Sequence, residues 1–248
     1  MKKKALVIVC THGNEQIGLE AFESLSQKEQ YDLMIGNPRA LKKNVRFTDI
    51  DQNRVGPGNP KSALYEERQV FKVLEKAKKY KYVLDIHGTV ANSGIFIILA
   101  SNTKEVLSFA LQLPIDKIVL WQNYTSSKGP VVKFVERGVG IEVGPKHTQK
   151  SKQLLVSALK EIHKKVPSYK DELSKKEISE LIKSKEFFSV YGSLPKEEIK
   201  NHQNKMKDFV LYKNGKESFY PIMPGEYGGE VFYKSKKISR KEIVDLLL

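Results

Sequence analysis

Apolar runs of strand length alternate with segments of helical spacing through the first two-thirds of the chain. Ala5–Cys10, Tyr31–Ile35, Tyr82–Ile86, Gly94–Ala100, Lys117–Leu120 and Val139–Val143 read as strands. Most are apolar at consecutive positions, the mark of strands covered on both faces. Between them, Gln16–Ser26, Tyr65–Lys79, Lys104–Leu111 and Thr148–Lys165 space their apolar residues as amphipathic helices do. Glu66 and Glu67 put acids in the first turn of the second of these, where the helix dipole favours them. Strand and helix in alternation predict an α/β fold: a mixed, mainly parallel sheet flanked by helices.

After Val166-Pro167-Ser168 the pattern breaks into short, lysine-rich pieces. A helix is predicted around Lys176–Ser184, then strands at Phe187–Val190, Phe209–Leu211, Tyr220–Ile222 and Gly229–Tyr233. Turn pairs such as Asn214-Gly215 and Pro224-Gly225 punctuate them. The organisation this predicts is an α/β domain over residues 1–167 and a small β-rich C-terminal domain over residues 168–248.

The lysines before Ala5–Cys10 imitate a signal peptide, but the apolar run is too short and leads straight into polar residues. No stretch approaches the ~18–20 apolar residues of a membrane span, so a soluble protein is expected. Cys10 is the single cysteine, which rules out an internal disulfide and suits a reducing cytoplasm. The net charge of +14 invites a nucleic-acid reading. It is spread, however, +8 over residues 1–150 and +6 over the rest, with no nucleic-acid-binding motif beside it. It reads as a solvated lysine surface that also attracts anionic substrates at long range.

Two apolar strands end in histidine. His12-Gly13-Asn14-Glu15 follows the first, and Asp85-Ile86-His87-Gly88-Thr89 closes the third, at the sheet edge where open α/β folds place their sites. A His-x-x-Glu pair alone fits a polar loop as well as a metal loop. With His87 at the same edge it offers two imidazoles and a carboxylate, three zinc ligands that leave a fourth position for water. Asp85 then serves to orient a ligating histidine. Glu142, inside the buried Val139–Val143 pattern, is either a salt-bridge partner or a general base. Arg39, Arg46, Asn53 and Arg54 lie where helical and strand cues are few, as surface ion pairs or as an anion clamp.

Five motifs in order carry a family resemblance: His12-Gly13-Asn14-Glu15, Asn37-Pro38-Arg39-Ala40, Arg46 through Asp51-Gln52-Asn53-Arg54, Asp85-Ile86-His87-Gly88-Thr89 and Gly140-Ile141-Glu142-Val143-Gly144-Pro145. Over about residues 5–165 the chain resembles the aspartoacylase/succinylglutamate desuccinylase family, a branch of the zinc carboxypeptidase superfamily. The resemblance implies Zn2+ held by His12, Glu15 and His87, Glu142 activating water, Arg46 polarising the scissile carbonyl, and Asn53 with Arg54 gripping the substrate α-carboxylate. It also implies a β-rich tail that narrows the entrance and supplies a tyrosine. Tyr227 is the candidate, with Tyr220 and Tyr233 as other placements.

One departure bears on substrate choice. Aspartoacylases place a second arginine about ten residues before the catalytic glutamate. Here that position is Val132, with Lys133 beside it and Lys128 and Arg137 further off. Lys133 is a point charge without the bidentate fork. The implied activity is removal of an acyl group from a small N-acyl amino acid by a zinc-dependent amidohydrolase. Its alternatives are a metallocarboxypeptidase acting on peptides or small amide conjugates, and a non-catalytic basic protein binding RNA or an acidic partner. Cys10 reads as a core residue. His147, His163 and His202 read as surface residues, and Trp121 and Tyr124 as core filling or pocket wall.

Overall fold

The computed structural model describes residues 5–121, 128–194, 206–224 and 232–247. In chain order the strands are β1 (Ala5–Val9), β2 (Tyr31–Ile35), β3 (Tyr82–Gly88), β4 (Gly94–Leu99), β5 (Lys117–Leu120), β6 (Gly138–Gly144), β7 (Glu186–Leu194), β8 (Tyr212–Asn214), β9 (Glu217–Ile222) and β10 (Phe232–Ile238). They form one sheet in the order β2-β1-β3-β6-β4-β5-β7-β10-β9-β8. β2, β1, β3 and β6 run parallel, so their carboxyl ends share one edge. β4 reverses against β6, β5 and β7 follow β4, and β10, β9 and β8 complete the sheet antiparallel.

The helices are α1 (Ile17–Glu23), α2 (Pro38–Lys43), α3 (Tyr65–Ala77), α4 (Lys104–Gln112), α5 (Gln149–Lys165), α6 (Lys175–Leu181) and α7 (Arg240–Leu247). α1, α4 and α5 cover one sheet face, where Val7, Val9, Leu84, Ile86, Ile141, Val143 and Ile97 join Phe22, Phe109 and Leu159 in the principal core. Burying side chains of this size stabilises by about 1.5–3 kcal/mol each.

The other face is divided. At one side Leu6, Ile8 and Val83 pack against Val70, Val73 and Leu74 of α3. At the other, Phe96, Val119, Phe188, Val190 and Ile222 form a separate cluster. Between them run Asp85 and His87 of β3, which alternate with the core-facing Leu84 and Ile86 as strand geometry requires. His87 is the register partner of Glu142 on β6, so both side chains leave the same face of adjacent strands. Two apolar patches thus frame a polar strip at the carboxyl edge.

The structure departs from the sequence pattern in several places. β8 was not expected, and β10 occupies Phe232–Ile238 where a strand at Gly229–Tyr233 was predicted, residues 229–231 lying outside the described residues. α2 stands where a loop was expected: Asn37 caps it by accepting from Ala40 N at 3.0 Å, Pro38 sits in its first turn, and Asn44 ends it at a left-handed φ of 52°. Six residues are too few to display a period, but the caps define the helix. Phe209–Leu211 is a turn, not a strand; Phe209 takes φ 63° and packs on Phe96 and Phe188, with ring centroids 5.2 and 4.9 Å away. α7 was not anticipated, although Ser239 and Glu242 form a reciprocal cap at its start.

The sheet and the principal core both run across residues 167/168. β7 adds parallel to β5, and Ile178, Ile182, Phe187, Ile243 and Leu247 belong to the same core as Val7 and Leu84. The antiparallel strands extend that layer. Among the described residues no helix is long and apolar enough to cross a membrane.

Candidate metal centre and its arginine loop

β1 delivers the first motif. After Val9 the chain turns at Cys10, whose φ is 54°. Gly13 then passes so close to α2 that a Cβ would meet Ala40 C at 2.1 Å and Leu41 N at 2.3 Å, a crossing only glycine permits. This folds His12 and Glu15 back over the end of β3. Burial, and next the Glu15 charge, push the Cys10 thiol up to about 12, so it is an inert core residue.

Glu15 is the hub. Its Oε1 lies 2.8 Å from His12 Nδ1 and accepts from Arg46 Nη1 at 3.0 Å. Its Oε2 lies 3.0 Å from His87 Nδ1 and accepts from Gly88 N at 3.2 Å. The other nitrogen of each ring meets a carboxylate: His12 Nε2 is 3.1 Å from Asp51 Oδ1, and His87 Nε2 is 3.2 Å from Asp85 Oδ2. Asp85 is itself fixed by Thr11 Oγ1, which donates at 2.8 Å. Burial pulls both histidines down, but the carboxylates outweigh it and hold His12 above and His87 well above the ordinary imidazole value. Burial also raises Glu15, and the two imidazoles reverse this and hold it well below the carboxylate range.

This donor set fits a zinc ion. All three side chains are buried, and one ligand atom from each of His12, Glu15 and His87 lies within 4.8 Å of the others. Two imidazoles and a carboxylate suit zinc, and a carboxylate behind each ring is the usual support for a ligating histidine.

The arginine loop closes over this cluster. Arg46 reaches Glu15 through one nitrogen and Asp51 Oδ2 through the other at 3.4 Å. Asp51 accepts from Asn53 N at 2.9 Å and so caps the 3-10 turn Gln52–Arg54. Burial raises the Asp51 carboxyl, but the bond to His12, the His12 charge and the guanidinium groups of Arg46 and Arg54 depress it far more. Asn53 is buried, with Nδ2 3.4 Å from His87 Nε2 and an Oδ1 that meets no hydrogen-bond partner among the described residues. Arg54 is exposed, and its Nη1 donates to Asn53 O at 3.3 Å.

The structure therefore brings together His12, Glu15, His87, Arg46 and Asn53, with Glu142 half-buried beside His87 and Arg54 at the rim. Tyr227 lies outside the described residues, as do Tyr124 and His202. Tyr233 packs on Trp121 with ring centroids 4.3 Å apart, and Tyr220 packs on Phe188 at 5.4 Å. Trp121 is core filling. Lys133 Nζ donates to Lys128 O at 3.0 Å, while Val132 is buried with Val55 and Val131. His163 pairs with Glu29 and meets the Tyr31 ring edge-on, a structural histidine. Sequence reasoning gave Asp51 no role at the site and read Glu66 only as a first-turn acid of its helix. The signal for Asp51 was its place in the arginine motif.

The catalytic-domain model of the succinylglutamate desuccinylase/aspartoacylase family matches residues 2–165. Two relatives are a "probable aspartoacylase" of Acaryochloris marina, 30% identical over 164 residues, and the aspartoacylase of Danio rerio, 29% identical over 174 residues. Each match covers 58% of this chain, and 55% and 54% of the relative, so the chain spans about half the length of these curated relatives. Among solved structures, murine aminoacylase 3 superposes with a TM-score of 0.67 at 18% identity, covering 96% of both chains. The succinylglutamate desuccinylase of Chromobacterium violaceum superposes with a TM-score of 0.66 at 16% identity, covering 96% of this chain and 85% of that one. At such identities these two speak for the fold alone. The chain belongs to the succinylglutamate desuccinylase/aspartoacylase family.

Proposed function

We propose that the protein is a zinc-dependent amidohydrolase that removes an acyl group from a small N-acyl amino acid. One observation carries this reading: two buried histidines share Glu15, each is backed by its own carboxylate, and Glu142 stands in register beside one of them. A non-catalytic binder has no use for such an arrangement. Zinc held by His12, Glu15 and His87 would supply Lewis acidity, lowering the pKa of water from 15.7 to about 7.

The chain's own residues supply the rest. Glu142 accepts the proton of the attacking water and returns it to the departing nitrogen. Arg46 directs its guanidinium at the carbonyl oxygen and stabilises the negative charge that develops there. Asn53 and Arg54 hold the α-carboxylate and so fix the amide in place. Residues 1–167 carry this chemistry, while the tail narrows the entrance and brings in Tyr227. The products are a free amino acid and a short carboxylic acid.

Screening zinc-loaded protein against N-acetyl, N-succinyl and N-formyl amino acids tests the reading; no turnover of any of them would sink it. Elemental analysis is expected to find about one zinc per chain, lost in His12→Ala and His87→Ala; full occupancy in His87→Ala would remove that ligand from the set. Asp51→Asn and Asp85→Asn are each expected to keep zinc but weaken its affinity by about 10- to 100-fold in a chelator competition. Unchanged affinity in both would mean that the carboxylates do not support the rings.

A further inference from the structure

Glu66 is wholly buried in the first turn of α3, and five donors converge on its carboxylate. Oε1 accepts from Thr48 N and Thr48 Oγ1, both at 2.7 Å, and from Asn37 Nδ2 at 3.2 Å. Oε2 accepts from Asp49 N at 3.0 Å and Ile50 N at 3.3 Å. Three consecutive backbone N–H groups of the loop thus end on one side chain. An ionised carboxylate accepts on both oxygens and donates on neither, which is what a set made only of donors demands. Burial opposes the charge, but the Thr48, Asn37 and Asp49 bonds outweigh it and keep the carboxyl below its ordinary value.

The grip is reciprocal. Asp49 Oδ2 accepts from Tyr65 N at 2.8 Å, at the start of α3, so loop and helix cap each other. One turn along, Gln69 Nε2 donates to Gly36 O at 2.9 Å, an oxygen it shares with Gln52 Nε2 at 3.2 Å. Asn37, which reaches Glu66 through its side chain, donates its own N–H to Cys10 O, two residues before His12. α3 thus holds both the loop and the start of the metal motif. Arg46 lies two residues before the gripped segment, Asp51 one residue after it and Asn53 three.

We propose that Glu66 is the positioning residue of the arginine loop, its carboxylate fixing the Thr48–Ile50 backbone so that Arg46, Asp51 and Asn53 face the metal cluster. What those residues do to substrate rests on the amidohydrolase reading; the placement of the loop does not. A loop of this kind has no sheet ladder to hold it. A displacement of about 1 Å at a substrate-orienting group costs on the order of 10²-fold in rate.

The test is Glu66→Gln, assayed zinc-loaded, because the amide turns an NH2 towards donors. Zinc content is expected to stay at the wild-type level. With the best N-acyl amino acid, kcat/KM is expected to fall about 10²-fold, and the preference for that substrate over its α-carboxamide to shrink about tenfold or more, since the carboxylate clamp is no longer aimed. Amide hydrogen exchange over residues 46–54 is expected to speed up about tenfold or more, with residues 82–88 unchanged. A lower Tm with the substrate preference and the 46–54 exchange both at wild-type values would reduce Glu66 to a fold-stabilising residue and overturn the proposal. If Glu66→Gln does not fold, Thr48→Val, which removes one donor, is expected to move the same readouts in the same direction by a smaller factor, and no movement overturns the proposal. Should the wild type cleave no substrate, the amidohydrolase reading falls, and the exchange arm alone decides the role of Glu66: faster exchange at 46–54 supports it, unchanged exchange overturns it.

Discussion

Glu142→Gln is expected to lower kcat by about 10³-fold or more while zinc content and Tm stay near wild type. The side chains match in shape, so the loss isolates the proton-accepting function. Glu142 suits that function by placement. It pairs in register with His87, and parallel-strand geometry sends both side chains off the same sheet face. The two positions before it on that face are Gly140, the register partner of Asp85, and Gly138, the register partner of Val83. Steady-state rates on the best substrate decide the matter. A Glu142→Gln enzyme within tenfold of wild type would place the base elsewhere, and Asp51→Asn would then be examined for the missing activity.

What the sequence disclosed follows from how local each signal is. β1, β3 and β6 were legible because parallel strands covered on both faces are apolar at consecutive positions. Polar His12, His87 and Glu142 therefore stood out against them. α2 was not, because its evidence is the pair of caps at Asn37 and Asn44 and not a period. Glu66 was read only as a first-turn acid. That reading is correct for the helix and silent about the loop, whose donors come from 16 to 29 residues away in sequence. Charge in the tail hid its continuity with the sheet: Lys234, Lys236 and Lys237 interrupt β10, although the strand pairs with β7 along its length. The apolar content that ties the tail down sits in Phe187, Ile178 and Ile243, spread over three elements, so no single stretch announces it.

Substrate selection is the second large effect. N-acetylaspartate is expected to be about 10²-fold poorer in kcat/KM than an N-acyl amino acid with a neutral side chain. A second carboxylate needs a cation where aspartoacylases are expected to place their additional arginine. The corresponding Val132 is instead 3% exposed and buried in one apolar cluster with Val55 and Val131. The nearest cation in sequence, Lys133, turns its Nζ to Lys128 O and lies 5.9 Å over the Phe134 ring. That segment is pressed against Gly56: Gly56 N donates to Gly129 O at 3.0 Å, and a Cβ on Gly56 would meet the Phe134 ring at 2.8 Å. Leaving a desolvated carboxylate without its bidentate partner costs about 3 kcal/mol, which is the 10²-fold stated. The α-carboxylate is a different matter, because Arg54 and Asn53 remain. Arg54→Ala is expected to raise KM about tenfold or more and to lower kcat as well, since an unanchored amide no longer sits against Arg46 and Glu142. The comparison runs across one panel, wild type against Arg54→Ala and Lys133→Ala. If N-acetylaspartate heads the wild-type list and Lys133→Ala abolishes its lead, Lys133 swings in to serve as the missing cation and the apolar reading of this wall is wrong.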